Sequence, residues 1–357
     1  MTTFSRPKFE TMKYTRIPHT SIRISKICLG TMTWGRQNNQ DDAFEQMDYA
    51  LDQGVNFFDT AELYPVPAKK ELYAVTEEII GNWFKKTGNR DKVVLASKIA
   101  GPGHAANHIR STGFSKESII SAVEGSLQRL QTDYLDLYQL HWPERNTNYF
   151  GQRGYNAHAV DIWEDNIHQV LETLRDLISE GKIRHVGLSN ETPWGTMRYL
   201  EESKVHQSLP RMLTIQNPYS LLNRLFEVGL SEVSMREQIG LLAYSPMAFG
   251  VLSGKYLTEI PPRKARVTLF PNYNRYSGET ATQATQMYAD LAKENGLSLA
   301  QMSLAFVNTR PFLTSNIIGA TTMEQLKENI ESINVNLSDE VLDGIEAIHK
   351  SIPNPAP

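Results

Sequence analysis

The chain of 357 residues has a single cysteine, Cys28, so no intrachain disulfide can form and a reducing compartment suits it. It has no apolar run approaching the roughly 20 residues that span a bilayer. Its first residues also lack the apolar core of a secretory signal, so a cytoplasmic location is the expectation. Neither charge sign dominates: 36 Lys and Arg against 40 Asp and Glu leave a net charge of -4, which offers no general attraction to nucleic acid or an anionic membrane. No linker-like stretch divides the sequence. The expectation is one domain over residues 13–357, preceded by a polar, patternless leader over 1–12. Hydrophobic residues at 40% and charged residues at 21% fit a globular protein with a large core, and oligomeric state is left open.

Residues 13–24 read as a hairpin turning at Pro18-His19-Thr20-Ser21. Eight strand-like runs follow, at 24–29, 55–58, 93–99, 135–140, 185–188, 213–216, 241–245 and 315–318. Helix-period segments lie between and after them, at 40–52, 71–86, 116–130, 164–179, 193–205, 223–236, 279–295 and 322–331, with a further one at 298–307. In 164–179, Ile167, Val170, Leu171, Leu174, Leu177 and Ile178 share one face. Eight such alternations predict an α/β fold, a (β/α)8 TIM barrel with an N-terminal β-hairpin. Helix-to-strand connections are short and glycine-marked, as at Gln53-Gly54-Val55 and Glu180-Gly181-Lys182. Strand-to-helix connections at 100–115, 142–162 and 246–278 are long, and such βα loops at the carboxyl face are where barrels build their sites.

Asp59, Lys98 and His141 each end a strand-like run, and Tyr64 follows Asp59 by five residues. Singly, each residue has a plain structural alternative as a helix cap, a packed ring or a solvated charge. Jointly, at one barrel mouth, they form a set for proton transfer to a carbonyl oxygen. A phenol with a pKa near 10 needs a nearby cation to titrate closer to neutrality. Lys98 is expected to lower the pKa of Tyr64, Asp59 to hold the ammonium, and His141 to offer an N–H to the same oxygen. No strong nucleophile is present, so the set suits protonation of an oxyanion while a hydride arrives from elsewhere.

Gly101-Pro102-Gly103-His104-Ala105-Ala106 matches a dinucleotide fingerprint in form, but proline holds its second position and no helix pattern follows. His104 and His108 have no paired carboxylate nearby, so no metal site is expected.

The chain resembles the aldo-keto reductase superfamily through Gly30-Thr31-Met32, Asp59-Thr60-Ala61-Glu62-Leu63-Tyr64, Ser97-Lys98 and Leu140-His141-Trp142-Pro143. The likeness continues through Gly187-Leu188-Ser189-Asn190, Gln216-Asn217-Pro218-Tyr219, Ala243-Tyr244-Ser245-Pro246 and Ile318-Gly319-Ala320-Thr321. It covers nearly everything after residue 13 and is nearest the bacterial Tas-like branch, related to potassium-channel β-subunits. The resemblance implies NADPH-dependent reduction of aldehydes or ketones to alcohols, with Tyr64 as proton donor. The alternative is an NADPH-binding regulatory or redox-sensing subunit with little turnover.

For the cofactor, the resemblance assigns Gly30, Thr31, Met32 and Asp59 to its binding site, Ser189, Asn190 and Gln216 to the nicotinamide carboxamide, and Tyr244 to stacking on the ring. Ser245, Pro246, Met247, Ala248, Gly250, Leu252 and Lys255 would follow the pyrophosphate, and Gly319, Ala320 and Thr321 would open the last helix toward phosphate. Gln325, Glu328 and Asn329 would meet the adenosine, although their spacing alone also fits a solvated helix face. Between 255 and 275, Lys255, Arg263, Lys264, Arg266 and Arg275 face one acid, Glu259. A 2′-phosphate clamp favouring NADP is assigned to Arg266, with Arg263 and Lys264 beside it after the Pro261-Pro262 turn. Met32, Trp34, Trp142, Tyr149 and Phe150 would wall the substrate pocket around Tyr64 and His141, with the 142–162 loop as a partial lid. These aromatics suit an apolar or aromatic carbonyl, or else pack among themselves. Arg145 and Arg153 supply no fixed clamp for an anionic substrate.

Overall fold

Near-continuous apolar runs, as expected of strands covered on both faces, close into a barrel. In the computed structural model, which describes residues 12–103 and 106–357, a two-stranded antiparallel hairpin, β1 (Tyr14–Arg16) and β2 (Arg23–Ser25), comes first. The barrel strands are β3 (Ile27–Gly30), β4 (Phe57–Asp59), β5 (Val94–Ile99), β6 (Leu135–Leu140), β7 (Ile183–Ser189), β8 (Met212–Pro218), β9 (Gly240–Tyr244) and β10 (Leu313–Ile318). All eight pair in parallel in chain order, and β10 pairs with β3 to close the ring. The helices are α1 (Gln40–Asp52), α2 (Val75–Thr87), α3 (Lys116–Leu130), α4 (Ile167–Ser179), α5 (Pro193–Val205), α6 (Leu230–Glu237), α7 (Arg266–Leu269), α8 (Glu279–Glu294), α9 (Leu299–Asn308), α10 (Met323–Glu331) and α11 (Asp339–Ser351).

Side-chain caps fix where these helices begin. Asn39 and Asp42 form a reciprocal capping box at α1, and Thr192 caps α5 with Pro193 in its first turn. Gly54 and Gly181 take positive φ just past α1 and α4, which lets the chain reverse into the next strand. The long loops at 100–115, 141–166 and 245–278 all leave the carboxyl ends of strands.

Inside the barrel, alternate residues form layers. Cys28, Phe57, Ala96, Leu137, Leu213, Leu242 and Ile317 pack with Ile17 and Ile24 of the hairpin segment, which therefore plugs one end. Asp59, Lys98, Gln139 and Gln216 form a polar layer toward the carboxyl ends. The site thus stands on a dry apolar base, where electrostatic interactions are screened little.

The structure adjusts several sequence expectations. The run 24–29 divides at Lys26, whose N–H donates to Lys13 O, so its first half belongs to the hairpin. The helix expected at 71–86 begins at Val75, after a 3-10 turn (Lys70–Leu72) and Ala74 at φ 59. That at 223–236 is broken by Gly229 between a 3-10 turn (Leu225–Val228) and α6. α7 and α11 were not foreseen; α11 is capped by Ser338 and buries Val341, Ile345 and Ile348. Of the expected leader, residues 1–11 lie outside the described residues, while Met12 is buried in the main core. No helix among the described residues is long and apolar enough to cross a membrane.

Because Ile24 is fully buried in the plug, Ile24→Ala should lower unfolding free energy by about 2–5 kcal/mol in a denaturant titration. A loss under about 1 kcal/mol would contradict the plug.

Candidate active site

Asp59 closes β4, Lys98 is the penultimate residue of β5, and His141 follows β6 directly. Register places them on neighbouring strands, Asp59 opposite Ala96 and Lys98 opposite Gln139. Lys98 is fully buried, and its Nζ donates to Asp59 Oδ2 at 2.7 Å, to Thr60 O at 2.8 Å and to the Tyr64 hydroxyl oxygen at 3.3 Å. The ammonium also lies 4.7 Å from the centroid of the Tyr64 ring. Asp59 Oδ1 accepts from Gln216 Nε2 at 2.8 Å and from Gln139 Nε2 at 3.2 Å. His141 meets Tyr64 edge to face, with ring centroids 5.8 Å apart. All four residues of the set are therefore in one cluster.

Burial lowers the pKa of an ammonium, yet for Lys98 it is outweighed by Asp59 and Tyr64, and the net direction is up. Lys98 stays charged. Tyr64 corrects the sequence expectation: burial raises its pKa by more than the adjacent Lys98 lowers it, so the net direction is up and the phenol stays protonated. Burial, aided by the Lys98 charge, drives His141 well below its ordinary 6.5, which leaves a neutral imidazole. Its Nδ1 is buried without a hydrogen-bond partner among the described residues. A neutral ring protonated on Nε2 can donate to an oxygen placed between it and Tyr64.

Two residues outside the predicted set support this cluster. Gln139 was missed, although it is a polar residue at the inward parity of an apolar strand. Glu62 accepts from Ala100 N at 2.7 Å and is ion-paired to Arg110, which ties the Asp59 to Tyr64 segment to the end of β5. Thr31 Oγ1 donates to Asp59 O, and Gly30 lies so close to β10 that a Cβ would come 2.8 Å from Ile318 O.

At the end of β7, Ser189 Oγ donates to Gln216 O, and Asn190 Nδ2 donates to His141 O and Ser189 Oγ. Tyr244 donates its hydroxyl to Asn190 Oδ1 at 2.6 Å, and burial keeps that phenol protonated. The Asn190 amide thus already holds Tyr244 in place, whereas Gln216 Oε1 accepts no hydrogen bond among the described residues. Beyond Tyr244 the backbone turns tightly, with Ser245, Ala248, Phe249 and Gly250 at positive φ, a clustering of strain typical of functional loops. Pro246 is buried, Met247 is half-buried, and the side chains of Ala248 and Leu252 lie in the core, so Ala248 and Leu252 can offer only backbone to a ligand.

Lys255 folds back on this turn, its Nζ 2.8 Å from where a Cβ on Gly250 would stand. Burial and neighbouring Arg266 lower its pKa, and burial also lowers that of Arg266. Among the described residues neither cation has a carboxylate in ion-pair reach. Two neighbouring, partly buried cations with no acid in reach among the described residues fit an anionic group such as a phosphate. Arg263 and Lys264 are exposed.

Near β10, Gln325 Oε1 accepts from Thr321 N at 3.0 Å and Asn329 Nδ2 donates to Gly319 O. Gln46 donates to Ala320 O, and Glu328 accepts from Ser298. The helix after this turn, α10, starts at Met323 with Thr322 as its cap, and α11 follows it. Thr321 N–H is engaged by Gln325, and Gly319, Ala320 and Thr321 precede the helix, which starts two residues past Thr321, rather than opening it. A Cβ at Gly319 would meet nothing within 4 Å, so space is open there.

Ring contacts run from Tyr64 through His141, Trp142 and Phe150 to Tyr149. Met32 and Tyr149 pack on the same cluster as Tyr64 and Trp142. Trp34 does not join them: it is fully buried in the main core and donates to Gln46 Oε1, so its assignment to the pocket is corrected. Arg145 forms a buried pair with Glu191, which neutralises it. The glycine-rich decoy has a packing explanation, because a Cβ at Gly101 would lie 2.4 Å from Trp142 Nε1, while His104 and Ala105 lie outside the described residues.

The model of the Aldo/keto reductase family matches residues 26–350. The chain is 51% identical over 353 residues to Protein tas of Escherichia coli K12, covering 97% of this chain and 100% of that one. It is 36% identical over 337 residues to the uncharacterized oxidoreductase YrpG of Bacillus subtilis, covering 93% and 94%. It is 29% identical over 353 residues to a probable voltage-gated potassium channel subunit beta of Oryza sativa subsp. japonica, covering 96% and 98%.

Neutrality of His141 is directly measurable. In an NMR pH titration its imidazole should show no protonation step near its ordinary 6.5, only one well below it. A step at or above 6.5, absent from His141→Gln, would contradict the buried neutral ring.

Proposed function

The chain belongs to the aldo/keto reductase family, and on that premise we propose that it is an NADPH-dependent oxidoreductase that reduces aldehydes or ketones to alcohols, with Tyr64 as proton donor. The observation that carries this reading is the buried contact of Lys98 with both Asp59 and the Tyr64 hydroxyl, beside a neutral His141.

NADPH, when bound, would supply the hydride for the carbonyl carbon. Gln216 with Ser189 would hold its carboxamide, Tyr244 would form one wall of the nicotinamide site, and Asn190 would fix Tyr244 through the bond described above. Lys255 and Arg266 would take its phosphates, a role supported by their burial with no carboxylate in ion-pair reach among the described residues. Open space at Gly319 and the amides around it suit the adenosine end.

Tyr64, protonated at neutral pH, would donate to the carbonyl oxygen. The phenolate that develops is stabilised by Lys98 Nζ at 3.3 Å, in a setting where charge is poorly screened. Asp59 keeps that ammonium aimed, and His141 steadies the same oxygen from the other side. The wall of Met32, Trp142, Tyr149 and Phe150 suits an apolar or aromatic carbonyl.

The rival reading, a cofactor-binding regulatory subunit, is separated by turnover. Wild-type chain should reduce simple aromatic aldehydes and quench NADPH fluorescence on binding. Tyr64→Phe should keep its NADPH affinity within a few-fold while kcat falls by about 10²–10⁴-fold. Retained reduction would overturn the donor assignment, and NADPH binding without wild-type turnover would favour the regulatory role.

A further inference from the structure

We propose that His168, Glu202 and His206 form a site for a divalent transition-metal ion of the zinc class on the outside of the barrel, clipping α4 to α5. His168 is the second residue of α4, Glu202 lies in the last turn of α5, and His206, four residues on, is that helix's C-cap. His168 Nδ1 lies 2.6 Å from Glu202 Oε1, and His206 Nε2 lies 3.3 Å from the same oxygen. The three donor atoms are all within 4.8 Å of one another. The imidazoles meet edge to face with centroids 4.7 Å apart.

Zinc bonds of about 2.0–2.1 Å place tetrahedral donors roughly 3.3–3.5 Å apart, so small rotations of these side chains would seat the ion. Two imidazoles and a carboxylate suit zinc, cobalt or nickel, whereas magnesium and calcium prefer oxygen donors. Three protein donors leave a fourth position for water.

The surrounding groups are arranged as metal sites require. Glu202 Oε2 accepts from Arg198, which also donates to Asp165, so the carboxylate is held with Oε1 toward the histidines. His168 Nε2, the nitrogen not needed for the ion, lies 3.9 Å from Glu172 Oε1, beyond hydrogen-bond distance but near enough that a side-chain rotation would let the carboxylate support the ring. His168 is 34 residues from its nearest partner, so only the packing of α4 on α5 brings the set together. His168 comes just after the 141–166 loop that bears Trp142, Tyr149 and Phe150, so the ion would anchor the returning end of that loop. The inference is independent of the proposed reduction.

The test is isothermal titration of untagged, chelator-stripped chain with Zn2+ in excess Mg2+. One equivalent should bind, and the double variant His168→Ala/His206→Ala should bind at least about tenfold more weakly, with Glu172→Gln giving a smaller loss. Crystals soaked in Zn2+ should show an anomalous peak among the three side chains, a readout that needs no variant. No zinc binding, unchanged affinity in the double variant, or a peak only elsewhere would overturn the site.

Discussion

A fully buried ammonium is the constraint on which the carboxyl face of this barrel depends. Taking Lys98 out of water is tolerable because its three N–H donors meet Asp59, Thr60 O and Tyr64, and because Asp59 is in turn held by two glutamines. A buried pair with such support is no strong source of stability, yet removing one partner strands the other at about 3–5 kcal/mol. Its consequence is positional: the ammonium, the carboxylate and the phenol oxygen have one mutual arrangement. The apolar plug built on Ile17 and Ile24 keeps the floor beneath them dry.

Charge placement then sets the protonation states at the mouth. Lys98 stays positive, Tyr64 keeps its proton because desolvation outweighs the lysine, and His141 is neutral because both burial and Lys98 oppose a second cation. Such a set can give a proton and steady an oxyanion without competing for the proton itself. Farther along, Lys255 and Arg266 have no carboxylate in ion-pair reach among the described residues. The two halves of the mouth therefore differ in kind, one with its buried charge balanced by Asp59 and one with two cations that have no carboxylate in ion-pair reach among the described residues.

Much of this was legible in the sequence because strand ends in a parallel barrel point one way. Asp59, Lys98 and His141 end apolar runs, and their convergence follows from the alternation of strands and helices alone. What escaped depended on burial and long-range contact. Trp34 follows a strand end and reads as a pocket wall, but its indole finds Gln46 and turns into the core. The direction of the Tyr64 shift needs the extent of desolvation, which no spacing reveals. Gln139 was readable from inward parity on β6, whereas its bond to Asp59 was not. The engagement of Asn190 by Tyr244 and of Thr321 by Gln325 is likewise tertiary. α11 carries a Ser338 cap and an apolar face of Val341, Ile345 and Ile348, and stands outside the eight alternating units that complete a barrel.

The central claim is that Lys98 acts on the proton of Tyr64 rather than merely filling the barrel. The most direct measurement is kcat for aldehyde reduction by Lys98→Met, taken with its NADPH affinity in protein whose circular dichroism matches wild type. The account predicts that kcat falls by about 10²-fold or more while affinity changes by less than about tenfold. A Lys98→Met chain that reduces aldehydes at close to the wild-type rate would contradict it.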